Sequence, residues 1–171
     1  IIAEKNPDLK DADDVARQIG ISAVVYADVS NRRTRDISFS LEEVLNFDGE
    51  TGPYLQYTHA RYCSILRRYG TAVDDEADPS RLGEPAEMRV ARALGSFPGV
   101  LARAERENEP SYVATFLIDL ATQANKLYNE VPVLIAEDPP VKAARIRLVN
   151  AVRGVLRTGM TLLGMSCPEE M

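Results

Sequence analysis

The chain carries little with which to do covalent or metal chemistry. It has one histidine, His59, and two cysteines, Cys63 and Cys167, in 171 residues. The cysteines lie far apart and form no CxxC, so no disulfide framework is indicated. His59 stands one helical turn before Cys63, but two ligands are too few for a structural zinc site. Reduced, buried thiols in a cytoplasmic protein are expected. No apolar run approaches the roughly 20 residues needed to cross a bilayer. The N-terminus, IIAEKNPDLKD, lacks a basic n-region, an apolar stretch and a small-residue cleavage site, so it is not a signal peptide. It also starts without Met and reads as the continuation of a longer chain. Neither GxxxxGK[ST] nor GxGxxG is present to cradle phosphates. Asp74-Asp75-Glu76 lacks the spacing of calcium-loop ligands and reads as a solvated acidic turn. As a general base, His59 would need a positioned partner and a nucleophile; Cys63 has no orienting Asn or Asp beside it in sequence. A structural histidine and a non-catalytic chain are the expectation.

What is present is ordinary globular composition, 45% hydrophobic and 27% charged, with a net charge of −6. That charge argues against loose attraction to nucleic acid, but it is segregated. Between Thr71 and Glu87 lie Asp74, Asp75, Glu76, Asp78, Glu84 and Glu87 against Arg81 alone. Between Pro139 and Gly164 lie Lys142, Arg145, Arg147, Arg153 and Arg157 with no acid. A bipolar molecule of this kind binds a polyanion on one face while the other repels it.

Helix signals dominate. Leu9, Ala12, Val15, Ala16 and Ile19 have helical spacing, with Gly20 placed to end a helix begun at Asp8. Residues 21–29 admit a short strand or a helix, and helix is favoured because no hairpin partner follows. NRRTR (31–35) is a polar loop, and Ser40 with Glu43 forms a capping box for a short helix to Phe47. Thr51-Gly52-Pro53 starts a stronger helix to Tyr69, closed by Gly70. An acidic loop to Gly83 follows, then helices over 84–94 and 97–107, with Pro98 starting the second. Glu109-Pro110-Ser111 opens a long helix through Tyr128, and Asp138-Pro139-Pro140 caps the last one, closed by Gly164. Gly154 and Gly159 inside it each cost about 1 kcal/mol relative to Ala, which close helix–helix or helix–ligand approach would justify. The sum is an all-α, antiparallel helical bundle.

One helix has an unusual face. In GETGPYLQYTHARY (49–62), helical advance puts Tyr54, Tyr57, Thr58, Arg61, Ile65 and Arg68 on one side. Leu55, His59, Tyr62, Leu66 and Tyr69 share the adjoining one. Rings mixed with guanidinium groups suit stacking on bases and pairing with phosphates in single-stranded RNA loops. They also suit a packed, tyrosine-rich core.

The words of the chain decide between these. TGPYLQYTHARYCSI (51–65) closely resembles the helix leading into the C-terminal anticodon-binding domain of bacterial arginyl-tRNA synthetases. ARIRLVNAVRGVLRTGMTLLGMSCPEEM (144–171) resembles that family's last helix and C-terminus, the part that gives the DALR anticodon-binding domain its name. NPDLKDADDVARQIGISAVVYADVS (6–30) resembles the segment after the family's KMSK-type loop. The likeness implies a helical connector over residues 1–50 and an anticodon-binding bundle over 51–171. It implies that the HIGH-like and KMSK-like motifs, with ATP, magnesium and arginine attachment, belong to the intact enzyme, with no cofactor in this part. The implied partners are tRNA-Arg, through its anticodon stem-loop, and the chain's own catalytic domain; no membrane, no DNA and a monomeric state are expected. A catalytically inactive, synthetase-like scaffold that binds protein is the competing reading.

The resemblance also implies residues. Tyr57, the second tyrosine of GPYLQY, would contact the anticodon loop; Tyr128, in ANKLYNEV, would pack against anticodon bases; the terminal Met171 would lie beside them. Charge segregation adds Arg61, Arg67, Arg145, Arg153 and Arg157 as phosphate contacts. Two departures stand out: Asn150-Ala151-Val152-Arg153 replaces Asp-Ala-Leu-Arg, and Glu170 stands where many relatives carry a base.

Overall fold

The structure is a computed structural model that describes residues 9, 11–32, 34, 36 and 39–171. Among the described residues six helices follow in order: α1 (Ala12–Val29), α2 (Leu41–Val44), α3 (Gly52–Tyr69), α4 (Pro85–Glu107), α5 (Ser111–Glu130) and α6 (Pro139–Leu162). A 3-10 turn, Pro79–Arg81, interrupts the acidic loop. Among the described residues there is no strand, and the all-α bundle expected from periodicity is the architecture found. Asp8 and, in the NRRTR loop, Arg33 and Arg35 lie outside the described residues.

Two helix boundaries differ from the sequence expectation for the same reason. Gly20 does not end a helix; α1 runs through it from Ala12 to Val29. The cost of a mid-helix glycine, about 1 kcal/mol, is outweighed by burying Val15, Ile19, Ala23 and Tyr26 along one stripe. Likewise Pro98 does not start a new helix but sits inside the 23-residue α4. A proline there removes one backbone bond and crowds the preceding turn. Tertiary packing holds the helix together across it: Phe97 stacks on Phe116 of α5 with ring centroids 5.2 Å apart. Sequence propensity yields to core packing at both places.

Elsewhere the local signals act as written. Thr51 Oγ1 accepts from Tyr54 N, Pro53 occupies the first turn, and Gly70 closes α3 at φ 73. Ser40 Oγ accepts from Glu43 N at 3.4 Å, although α2 stops at Val44, short of Phe47. The core draws on α1, α3, α4, α5 and α6 together, with Leu55, Val90, Leu117, Leu120, Val152, Leu156 and Met160 among its fully enclosed side chains. The two glycines of α6 have different meanings. A Cβ on Gly159 would stand 2.5 Å from Leu117 Cδ2, so α5 and α6 meet closely there; one on Gly154 would meet nothing within 4 Å. Close approach explains Gly159 and does not explain Gly154.

Helix α1 is seated directly on α3. A Cβ on Gly52 would stand 2.8 Å from the Ser22 carbonyl oxygen. Tyr26 is buried in the same core as Leu55 and Tyr62.

Candidate nucleic-acid interface

After α6 the chain turns at Gly164, φ 82, and its last residues lie along α3. Ser166 N donates to Ser22 Oγ at 3.0 Å, and Gln56 Nε2 donates to the Ser166 carbonyl at 2.9 Å. Farther along, His59 Nδ1 is 3.0 Å from the Pro168 carbonyl, and Arg67 Nη1 donates to the Glu169 carbonyl at 3.0 Å. Arg67 also pairs with Glu170 at 3.4 Å. These contacts bring the C-terminus to the outer face of α3.

The contacts also fix the chemistry of His59. A carbonyl oxygen can only accept, so Nδ1 carries the hydrogen and Nε2 a lone pair. Nε2 lies 3.7 Å from Cys63 Sγ, whose thiol is the available donor. Burial lowers the His59 pKa, helped by Arg153 and Arg157, and burial raises that of Cys63. This is a neutral imidazole tying down a chain end, 1% exposed. A general base would need access to a substrate proton. Among the described residues no group of three or more His, Cys, Asp or Glu side chains could hold a metal ion.

Where the tail meets α3 and α5, a hollow of about 390 Å³ is lined by Tyr57, Arg61, Arg67, Tyr128, Glu170 and Met171, with Arg68 at its edge. Three segments distant in sequence thus converge on one surface. Tyr57 and Tyr128 remain 37% and 41% exposed, unusual for rings in a bundle where Tyr26 and Tyr62 are sealed. The Arg61 guanidinium carbon lies 4.7 Å from the centroid of each exposed ring. Guanidinium over an aromatic face is a favourable contact in itself. The ring-and-arginine face of α3 is narrower than helical spacing suggests, because Thr58 and Ile65 are buried and Tyr54 turns to α5.

Asn125 of α5 is part of the arrangement and was not singled out by sequence reasoning. Its Oδ1 accepts from Arg61 Nη1 at 2.7 Å, while its Nδ2 donates to Tyr54 Oη at 2.9 Å and Thr58 Oγ1 at 3.0 Å. The available signal was its place one turn before Tyr128, a polar amide beside the apolar Ala121, Ala124 and Leu127.

The remaining arginines divide. Arg157 is exposed and, among the described residues, shows no ion pair. Arg153 is half-buried: Nη2 donates to Asn150 Oδ1 at 2.9 Å, and its enclosed Nε has no partner among the described residues. The changed first letter of the Asn-Ala-Val-Arg motif, Asn150, therefore bonds its unchanged last one, Arg153. Arg145, expected to meet phosphate, is committed inside the fold. Its Nε is 2.6 Å from Glu87 Oε1, with side chains 12% and 0% exposed, and Nη1 donates to the Pro132 carbonyl at 3.1 Å. The sequence showed a basic helix, but the fold spends this charge on a buried acid.

Known proteins resemble this chain in sequence and in fold. The profile of the DALR anticodon binding domain matches residues 55–171. The arginine–tRNA ligase of Alkaliphilus metalliredigens is 42% identical over 171 residues, 100% of this chain and 30% of that protein. That of Clostridium botulinum (strain Langeland) is 46% identical over the same shares. The arginyl-tRNA synthetase of Thermus thermophilus superposes with a TM-score of 0.93 and 36% identity, over 99% of this chain and 29% of that one. The synthetase of Plasmodium falciparum shares the fold, with a TM-score of 0.81 at 24% identity. The chain thus spans about 30% of the length of the curated relatives it matches. By the profile that covers its bundle from Leu55 to its last residue, the chain belongs to the DALR anticodon binding domain family.

Proposed function

We propose that this chain recognises the anticodon arm of tRNA-Arg, as the C-terminal part of a cytoplasmic, monomeric arginine–tRNA ligase. In that reading the rest of the enzyme supplies arginine activation with ATP and magnesium, and no residue of this chain holds either. In the same reading residues 1–50 are a connector and residues 51–171 the recognition bundle. The bundle would hold the anticodon arm while the acceptor end reaches the catalytic domain.

The observation that carries the reading is the hollow shared by Tyr57, Tyr128 and Met171. Two exposed rings and a thioether offer flat, polarisable surface to splayed bases, each base–aromatic stack contributing on the order of 1–3 kcal/mol. Arg67 and Arg68 line the hollow and Arg157 is exposed on α6; these three serve the phosphates. Arg145 and Arg153 act within the protein instead. Glu170 places an anion at the rim, where its pair with Arg67 offsets the repulsion of phosphate.

The test is binding of tRNA-Arg and of its isolated anticodon stem-loop by the wild type and Tyr128→Ala. The substitution is expected to weaken anticodon-dependent affinity by roughly tenfold. Wild-type affinity should fall steeply with added salt as counterions are released. Unchanged affinity in the variant would remove Tyr128 from the site. Salt-insensitive binding would favour an apolar protein partner.

A further inference from the structure

We infer that Arg61 is the central member of a stacked platform, not a phosphate ligand, and that Asn125 is the residue that positions it. The inference rests on the anticodon-arm reading above.

Proton accounting fixes the arrangement. Thr58 Oγ1 donates to the Tyr54 carbonyl at 2.9 Å, which uses its one hydrogen. Thr58 must therefore accept from Asn125, and the only donor on that side chain is Nδ2. The amide is oriented by this contact, leaving Oδ1 to face Arg61 Nη1 at 2.7 Å. From the other end Arg61 Nη2 donates to Tyr57 Oη at 3.0 Å. Both terminal nitrogens of the guanidinium are thus engaged, and its central carbon is held 4.7 Å from the ring centroids of both Tyr57 and Tyr128.

A guanidinium so held joins a ring on α3 to a ring on α5. Both rings already have a partner before any base arrives, which lowers the cost of fixing them on binding. The buried end of the network, through Tyr54 and Thr58, anchors the exposed end. A lysine in place of Arg61 keeps the charge but has no plane to lie against two rings.

The experiment uses the 171-residue chain and the anticodon stem-loop of tRNA-Arg, titrated at several salt concentrations. Asn125→Leu and Arg61→Lys are each expected to lower affinity about tenfold. The slope of log affinity against log salt should stay at its wild-type value, since no phosphate contact is lost. Combined, the two substitutions should be no worse than either alone, within about twofold, because each breaks the same assembly. Wild-type affinity in Arg61→Lys would overturn the inference, as would multiplied losses in the double variant. So would a slope reduced by about 0.7 in Arg61→Ala, the signature of one lost phosphate contact on a single strand. Should Asn125→Leu fail to fold by circular dichroism, Arg61→Lys decides alone. If the wild type shows no anticodon-dependent binding, the anticodon reading itself falls, and this inference with it.

Discussion

Replacing Arg145 with Met tests whether its charge serves the fold or the ligand. The Glu87 carboxylate is fully enclosed at the start of α4. Oε2 accepts from Gly83 N and Glu84 N, both at 2.8 Å, and Oε1 accepts from Arg145 Nε at 2.6 Å. Arg145→Met removes the only cation among these partners and leaves a buried anion held by two backbone amides. Breaking one side of a buried pair costs about 3–5 kcal/mol. The remaining amides and the 12% exposure of the Arg145 side chain place this case near the lower end, about 3 kcal/mol. For a chain of this size each kcal/mol lowers Tm by about 2–4 °C, so a fall of about 6–12 °C is expected in a thermal melt followed by circular dichroism. The fall should be nearly the same at low and high salt, because an enclosed pair is little screened. In a double-mutant cycle with Glu87→Leu the two losses should be non-additive by at least about 1 kcal/mol. A Tm within about 2 °C of wild type would refute the assignment of Arg145 to the fold and return it to the pool of RNA contacts.

Two further outcomes follow from particular geometry. Gly159→Ala drives a Cβ into Leu117 and should destabilise by about 1–2 kcal/mol net of helix propensity, whereas Gly154→Ala, with nothing near it, should stabilise by up to about 1 kcal/mol; paired urea melts would show the opposite signs, and equal signs would contradict the packing described. For His59, burial holds the folded pKa below the ordinary 6.5, so the unfolded chain takes up the proton first. Its contribution is therefore fully present above pH about 6.5 and is lost as pH falls below it, levelling off beneath the folded pKa. Comparing the pH dependence of stability in wild type and His59→Gln isolates this from the carboxylates, and identical profiles would show that His59 does not titrate differently on folding.

Much of the fold was written locally. Thr51-Gly52-Pro53, Asp138-Pro139-Pro140, Gly70 and Gly164 punctuate the chain where the helices begin and end, because caps and glycine turns act through bonds between near neighbours. Gly20 and Pro98 misled because their local cost is small beside the apolar surface that α1 and α4 bury. The site was legible in part: the words around Tyr57, Tyr128 and Met171 carried a family resemblance that periodicity alone could not supply.

What the sequence determined by itself is the set of helices, their apolar stripes and the residue types able to stack on a base. Tertiary structure alone decided which of those residues meet. It laid the tail along α3 through Gln56 and His59, turned Arg145 inward to Glu87 and set Asn125 against Arg61. The reason is reach. Helical periodicity reports only which way a side chain faces on its own helix, whereas burial, ion pairing and the hydrogen-bond partners of an amide depend on atoms brought near from dozens of residues away.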